Sequence, residues 1–202
     1  MSSSTVSLGW LEPLSTLLRP DQLSTGESVL NQHAKGESFD KAVLPDVVVF
    51  PESTEDVQNI IRFAYEHSIP VTPVAINSSL EGHTVPVRGG ISLDMTRMNK
   101  ILAFHPEDLL IVVQPAVTYP QINEHTKRSG LFFPVDPGAH ASLGGMISTN
   151  ASGTAAVRYG VTGDYVLALE VVTPTGEMIR TGSRARKSSS GYNLTRLFCG
   201  AE

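Results

Sequence analysis

The chain has 202 residues, 41% of them hydrophobic and 17% charged, with 15 Lys and Arg against 20 Asp and Glu. This composition excludes a disordered charged tail, and the net charge of -5 disfavours binding to the phosphate backbone of a nucleic acid. The length allows one large domain or two small ones, and no apolar run approaches the roughly 20 residues that a membrane-spanning helix needs.

Two features bear on the cellular compartment. The single cysteine, Cys199, has no partner for a disulfide, and no Cys-x-x-Cys pair is present to hold zinc. No positive charge precedes Arg19, so neither a secretory nor a mitochondrial presequence is predicted. We therefore predict a cytoplasmic protein, with a mitochondrial location as the alternative if an upstream presequence is missing.

The first part of the chain, residues 1–44, is predicted to be a polar lead-in with one short helix near residues 13–19. Firm structure begins after Pro45, where residues 47–50 form an apolar, mainly β-branched run bounded by prolines. Such a run predicts a strand that is buried on both faces.

A helix and a second strand follow. Ser53, with Asp56 three residues later, is typical of a capping box at a helix start. The helix is predicted to end near His67, because apolar residues recur on one face at Val57, Ile60, Ile61 and Ala64. A strand over residues 71–74 completes a β-α-β unit, which implies two parallel strands and a right-handed crossover.

The later elements are predicted to be mostly antiparallel. Strands are predicted over residues 91–94 and 109–113, and a helix over 118–128 that stops at Gly130. Strands over 168–172 and 178–181 flank a turn and predict a hairpin. Mixed α and β structure follows from this order, with parallel pairing first and antiparallel pairing later.

Two loops are unusual in composition. The first loop, residues 73–82, is rich in small and polar residues, so successive backbone N–H groups and the hydroxyls of Ser78 and Ser79 are able to hold a phosphate or pyrophosphate. The alternative is a surface connection rich in turn formers. The second loop, residues 134–153, contains one charged residue, Asp136, and few large side chains. Its backbone must lie close either to neighbouring strands or to a flat ligand, and composition leaves both open.

Several motifs in order carry a resemblance to a known family. They are Pro73 with Ser78 to Gly82, then residues 134–138, then 144–153, then 158–160, and finally residues 191–202. In this order they resemble the PCMH-type FAD-binding domain of the vanillyl-alcohol oxidase and p-cresol methylhydroxylase superfamily. Within it, the motifs are most similar to D-lactate dehydrogenases and the FAD-linked subunit of glycolate oxidase. The resemblance covers roughly residues 40–202.

The resemblance implies an α+β fold with a small β-α-β subdomain and a larger, mostly antiparallel sheet subdomain flanked by helices. The FAD-binding domain is expected over residues 45–202. The first loop is implied to wrap the FAD pyrophosphate through Val74, Ala75, Ile76, Asn77, Ser78, Ser79 and Leu80. The ribityl chain and isoalloxazine ring are implied to lie along Asp136, Pro137, Gly138, Ser142, Gly144, Gly145, Thr149, Asn150, Ala151 and Ser152. Glu202 is implied to begin a loop that closes over the cofactor.

Three positions depart from patterns found in the family. Relatives carry glycines where this chain has Ala75 and Asn77; if those glycines need positive φ, alanine is strained there and asparagine is tolerated better. Covalently flavinylated relatives carry a histidine at the position of Ser78, so non-covalent FAD is implied. The histidines of the chain are scattered with no pair at metal spacing, and His140 lies in the second loop.

The resemblance implies that the complete enzyme oxidises a small 2-hydroxy acid, D-lactate to pyruvate, by hydride transfer to FAD. One alternative is the FAD-linked glycolate oxidase subunit, and another is a degenerate, non-catalytic module that keeps the fold. Family enzymes continue beyond the position of Glu202 into a substrate-binding cap and a catalytic, metal-binding region. The chain is therefore expected to be an N-terminal portion without turnover of its own, and no catalytic residue or metal ligand is assigned to it. The electron acceptor is unknown.

Overall fold

The computed structural model describes residues 9–202, so the first eight residues of the predicted lead-in lie outside the described range. The strands are β1 Leu23–Ser24, β2 Val47–Val49, β3 Val71–Val74, β4 Ile91–Asp94, β5 Ile101–His105, β6 Leu110–Val113, β7 Ala168–Val172 and β8 Met178–Gly182. The helices are α1 Leu11–Thr16, α2 Glu27–Gln32, α3 Thr54–Glu66, α4 Tyr119–Thr126, α5 Leu143–Ser148, α6 Ala156–Tyr159 and α7 Leu194–Phe198.

A four-stranded sheet forms the first half of the fold, in the order β1-β2-β4-β3. Strands β2 and β3 both run parallel to β4, which confirms the predicted β-α-β unit but places β4 between its two strands. Strand β1 adds to the outer edge of β2 in the antiparallel direction. The insertion of β4 puts the residues after β3 beside the residues after β4, because the carboxyl ends of parallel strands meet at one edge.

Helix α3 covers one face of this sheet. Ser53 caps its first turn, with the Oγ atom accepting from the Asp56 N–H and the Asp56 carboxylate accepting from the Ser53 N–H, as the spacing predicts. Ile60 is fully buried in a core that also contains Val47 and Ile91. Leu14 of the predicted lead-in is likewise fully buried in this core. Helix α1 begins two residues earlier than predicted and packs against the sheet.

The antiparallel strands form two separate two-stranded sheets, β5-β6 and β7-β8, and the α+β fold class is confirmed. Strand β5 was not predicted, and β6 begins at Leu110 because Leu109 turns back with a φ of 53°. A second core forms where α4, α5 and strands β5 and β6 meet, around Val117, Ile122 and Leu143. Among residues 9–202, no helix is both long and apolar enough to cross a membrane.

Helix α4 follows the predicted pattern at both ends. Thr118 and Gln121 form a capping box, and a 3-10 turn over Lys127–Ser129 leads to Gly130 at a φ of 68°. No helix was predicted within residues 130–163, yet α5 and α6 lie there. These two short helices were missed because their sequences, rich in small residues, lack the apolar stripe by which amphipathic helices are recognised.

Candidate functional site

The first and second loops line one cleft, which has a volume of about 260 Å³. Ile76 of the first loop lies on one wall and His140 of the second loop on another. The remaining lining residues are Thr96, Asn99, Ala116, Thr118 and Gln121. An open groove of about 440 Å³ over α4 shares Thr118, Gln121 and His140 with this cleft.

Backbone N–H groups of the first loop are the main hydrogen-bond donors of this site. Within residues 9–202, none of the six N–H groups of residues 75–80 donates a hydrogen bond to the protein. The loop is held instead by the Asn77 side chain, whose Nδ2 donates to the Lys35 carbonyl at 2.9 Å. Consecutive free amides are suited to an anion such as a pyrophosphate.

The backbone conformation of the first loop shows whether Ala75 and Asn77, which stand where relatives have glycine, are strained. Ala75 does not adopt a positive φ, so alanine is not strained there. Asn77 does adopt the left-handed conformation, with a φ of 60°, which asparagine tolerates better than most residues. The backbone of the first loop is therefore compatible with both residues.

Asp136 of the second loop is held by protein donors. Its Oδ1 accepts the Tyr119 hydroxyl and the Gly138 N–H, both at 2.8 Å. The Gly138 N–H, followed by the Tyr119 hydroxyl, lowers the pKa of the Asp136 carboxyl. Asp136 thus fastens the start of the second loop to the first turn of α4.

The glycines of the second loop have different neighbours. A Cβ on Gly144 would lie 2.8 Å from the Pro115 Cβ, and a Cβ on Gly153 only 2.2 Å from the Asp136 carbonyl oxygen. A Cβ on Gly145 would meet only the Ser142 Oγ, at 3.3 Å. Close backbone approach within the protein therefore explains Gly144 and Gly153, whereas Gly145 leaves open surface on α5.

The carboxyl end of α5 gathers further predicted residues. Asn150 has a φ of 48°, and its Oδ1 accepts the Gly163 N–H at 2.9 Å. The Glu202 N–H donates to the Ser148 carbonyl at 3.0 Å, which brings Glu202 to the end of α5. Thr149 binds back to Gly145 through its hydroxyl, as expected for a helix end.

The remaining predicted residues occupy ordinary positions in the two loops. Val74 is buried at the end of β3, and Ser142 is the N-cap of α5. Exposed or half-buried positions are taken by Ser78, Ser79, Leu80, Pro137, Gly138, Ala151 and Ser152. Of the 18 residues predicted to contact the cofactor, Ile76 lies directly on the cleft.

Sequence reasoning missed most of the cleft wall. Thr96, Asn99 and Ala116 come from the segments after β4 and β6, which carry no glycine-rich or hydroxyl-rich signal. A signal was present for Thr118 and Gln121, whose spacing indicates a helix start. Their position in the cleft depends on how the segment after β6 packs against the segment after β4, where the Ala116 N–H donates to the Met98 carbonyl at 2.9 Å, and local patterns do not report this contact.

The donor set and the open surface fit a flavin dinucleotide. Six free amides suit the pyrophosphate, and the uncovered surface at Gly145 leaves space for a flat ring. Within residues 9–202, no cluster of three or more His, Cys, Asp or Glu residues could hold a metal ion.

Comparisons with known proteins agree with this fit. A sequence model of the family described as FAD binding domain matches residues 45–182. The mitochondrial D-lactate dehydrogenase (cytochrome) of Arabidopsis thaliana is 45% identical over 194 residues, covering 95% of this chain and 34% of that protein. Glycolate oxidase subunit GlcD of Bacillus subtilis is 40% identical over 161 residues, covering 79% of this chain and 34% of that protein.

A solved structure extends the comparison to the fold. The crystal structure of p-cresol methylhydroxylase with substrate bound superposes with a TM-score of 0.79 at 26% identity. The match covers 96% of this chain and 41% of that one. The chain spans about a third of the length of the two curated relatives described above.

Proposed function

Because the chain belongs to the FAD binding domain family of the vanillyl-alcohol oxidase superfamily, we propose that it is the flavin-binding part of a D-2-hydroxyacid dehydrogenase. The cofactor is FAD, which supplies hydride-accepting chemistry when bound. D-lactate is the proposed substrate, with pyruvate as the product. The flavin-binding domain is proposed to span residues 45–202, with residues 1–44 as a lead-in that partly packs on its core.

One observation carries the cofactor site: the first and second loops meet at a cleft beside six backbone N–H groups that find no acceptor within residues 9–202. We assign the pyrophosphate to residues 75–80, where donors face no competing acceptor. The surface of α5 at Gly145, together with the second loop, orients the ribityl chain and ring. Ser78 offers no imidazole for covalent attachment, which supports non-covalent FAD.

The names of the relatives support the substrate class and the compartment. The Arabidopsis relative is named as a D-lactate dehydrogenase and as mitochondrial, which favours the mitochondrial alternative over the cytoplasm. The Bacillus relative is named as a glycolate oxidase subunit, so glycolate is the second candidate substrate. Both compounds are small 2-hydroxy acids.

Titration of the purified chain with FAD tests the site, with riboflavin as the comparison ligand because it lacks the pyrophosphate. At a free FAD concentration of 100 times Kd, binding adds about 2.7 kcal/mol to the free energy of unfolding. For a chain of this size that raises the Tm by roughly 5–10 °C. Riboflavin at the same concentration is expected to raise it much less. A chain that stays colourless and shows no Tm shift with FAD would support the non-catalytic module instead.

The substrate class is tested after restoring the part of the protein that corresponds to the other two thirds of the relatives. We expect an artificial electron acceptor to be reduced with D-lactate and not with L-lactate. Faster turnover with glycolate than with D-lactate would favour the second candidate. The chain by itself is expected to bind the flavin without turnover.

A further inference from the structure

A buried ion pair lies near residues that line the cleft. His33 follows the last turn of α2, and its Nε2 lies 2.9 Å from the Asp94 Oδ2 at the end of β4. Its Nδ1 lies 2.8 Å from the Val29 carbonyl oxygen. The side chains are only 11% and 10% exposed, so water does not replace these contacts.

The contacts define the charge of His33. A carbonyl oxygen and a carboxylate both accept hydrogen bonds, so both ring nitrogens must donate, and only the imidazolium does that. Burial by itself would lower the pKa of His33, but the hydrogen bonds with Asp94 and Val29 outweigh it and raise that pKa. Burial would likewise raise the pKa of Asp94, yet the bonds from His33 and Thr96 lower it.

The groups that face the imidazole are few. Asp94 on β4 supplies the negative charge, and the Phe50 ring after β2 meets the imidazole edge-on at 6.2 Å between centroids. Arg97 lies over the same Phe50 ring, but its guanidinium is bound by Asp21 and Glu52. The charge of His33 therefore depends chiefly on Asp94.

Asp94 connects the ion pair to one wall of the cleft. Its Oδ1 accepts the Thr96 N–H at 2.8 Å and caps the turn Met95–Arg97. Thr96 and Asn99, which line the cleft, belong to this turn and the residues just after it. The position of this wall therefore follows the Asp94 carboxylate.

His33 connects the ion pair to the first loop, which follows the neighbouring strand β3. Two residues after it, the Lys35 carbonyl accepts the Asn77 Nδ2 at 2.9 Å. A Cβ on Gly36 would lie 2.8 Å from the Asn77 Oδ1, so this backbone packs directly against Asn77. Asn77 neighbours Ile76 and belongs to the run of free amides. The first loop therefore follows the position of His33.

We propose that His33 is a positioning residue for the cofactor: beyond the end of the β3-β4 ladder at Val74 and Asp94, its ion pair with Asp94 sets the spacing between the first loop and the turn that carries Thr96. This proposal rests on the proposed function, in which the cleft holds FAD. Neutral His33 loses one of its two donors, and within residues 9–202 the two segments are then joined only by the β3-β4 ladder, which ends at Val74 and Asp94. FAD then binds more weakly although no group that touches it has changed.

The primary test measures the FAD dissociation constant between about pH 5.5 and 9, a range that spans the titration of a histidine with a raised pKa. We expect FAD binding by the unmodified chain to weaken about tenfold as His33 loses its proton. His33→Gln should be weak throughout, with its pH dependence in this range lost. His67→Gln is the matched control, because the His67 Nδ1 lies 2.9 Å from the Phe63 carbonyl four residues earlier, as His33 does with Val29, and no salt bridge to a carboxylate is found for His67 within residues 9–202.

Asp94→Asn provides a conservative rescue. The amide oxygen is able to keep the cap on the Thr96 N–H, and the amide nitrogen is able to donate to a neutral His33 Nε2. We expect this variant to bind FAD within about threefold of the unmodified chain at neutral pH, and to lose the pH dependence. A merely structural role for the pair would lower the Tm of both variants without changing the pH profile of FAD binding.

NMR of the chain without FAD separates this proposal from the proposed function. Titration of His33 is expected to move the amide signals of Asn77 and Thr96 with the same midpoint as the imidazole signal. If those signals stay fixed while the imidazole titrates, His33 does not position the walls and the proposal fails. If they move but FAD does not bind at any pH, the ion pair positions the walls and the proposed cofactor site is wrong.

Discussion

At the scale of single residues, the neighbouring glycines of α5 do different things. Gly144 packs on Pro115, and its N–H donates to the Pro115 carbonyl at 2.8 Å. Gly145 is exposed, and among residues 9–202 a Cβ added there meets only the Ser142 Oγ of its own helix cap. Two adjacent glycines in a motif therefore need not serve the same purpose. Here Gly144 is explained by packing, and Gly145 leaves surface for a ligand.

Alanine substitution separates these two roles. Gly144→Ala is expected to lower the free energy of unfolding by about 1–3 kcal/mol, because the added methyl group meets Pro115. Gly145→Ala should change it by less than about 1 kcal/mol, in the stabilising direction expected for Gly to Ala in a helix. Urea unfolding measures both values. Equal destabilisation by the two substitutions would contradict this assignment. Weaker FAD binding by Gly145→Ala alone would support the ring's position on α5.

At the scale of elements, the start of α3 joins three parts of the chain. The Asp56 Oδ2 accepts the N–H groups of Glu52 and Ser53 and the side-chain amide of Gln22. Gln22, only 2% exposed, precedes β1. The capping box thus also fixes where β1 meets the edge of the sheet.

Removal of the Ser53 and Asp56 side chains should lower the free energy of unfolding by different amounts. Ser53→Ala is expected to cost about 1 kcal/mol of stability, the usual loss for an N-cap. Asp56→Ala should cost about 2 kcal/mol or more, because it also leaves the buried Gln22 amide without its acceptor. Glu55→Ala, an exposed change in the same turn, serves as the control and should stay within about 0.5 kcal/mol. Equal losses for Ser53 and Asp56 in urea unfolding would show that the Gln22 contact contributes nothing.

At the scale of the whole molecule, stability should depend on pH in a defined direction. The folded pKa of His33 is raised, so its stabilisation is full below the ordinary histidine value of about 6.5 and is lost as the pH rises through the folded pKa. The folded pKa of Asp94 is lowered, so its stabilisation is present above about 3.9 and is lost as the pH falls through its folded pKa. The pair therefore stabilises the protein most between about pH 4 and 6.5.

Urea unfolding at pH values below, within and above this range checks the prediction. The free energy of unfolding of the unmodified chain should decrease from about pH 6.5 upward, as the folded His33 titrates. His33→Gln should remove that alkaline decrease and keep the acid decrease, because Asp136 and Asp164 also have lowered pKa values. An alkaline decrease of the same size in His33→Gln would assign it to other groups.

Local sequence signals predicted the elements whose causes are local. Residues within one turn or one strand determine the run over residues 47–50, the capping box at Ser53, the helix start at Thr118 and the stop at Gly130. The composition of the second loop also indicated that its backbone lies close to neighbouring strands or to a ligand. Strand β5 was missed because its apolar residues follow neither the repeat of a helix nor the alternation of a strand. Its partner β6 follows it after a short turn.

The sequence by itself determined the α+β class, the family and the two small-residue loops, because periodicity, capping and motif order are carried by neighbouring residues. Tertiary structure alone decided that β4 lies between β2 and β3, and this placed Thr96 beside Ile76. It also decided that His33 meets Asp94, 61 residues away in the chain. Long-range pairing depends on the packing of whole faces and on backbone hydrogen bonds between strands. No short stretch of sequence contains that information.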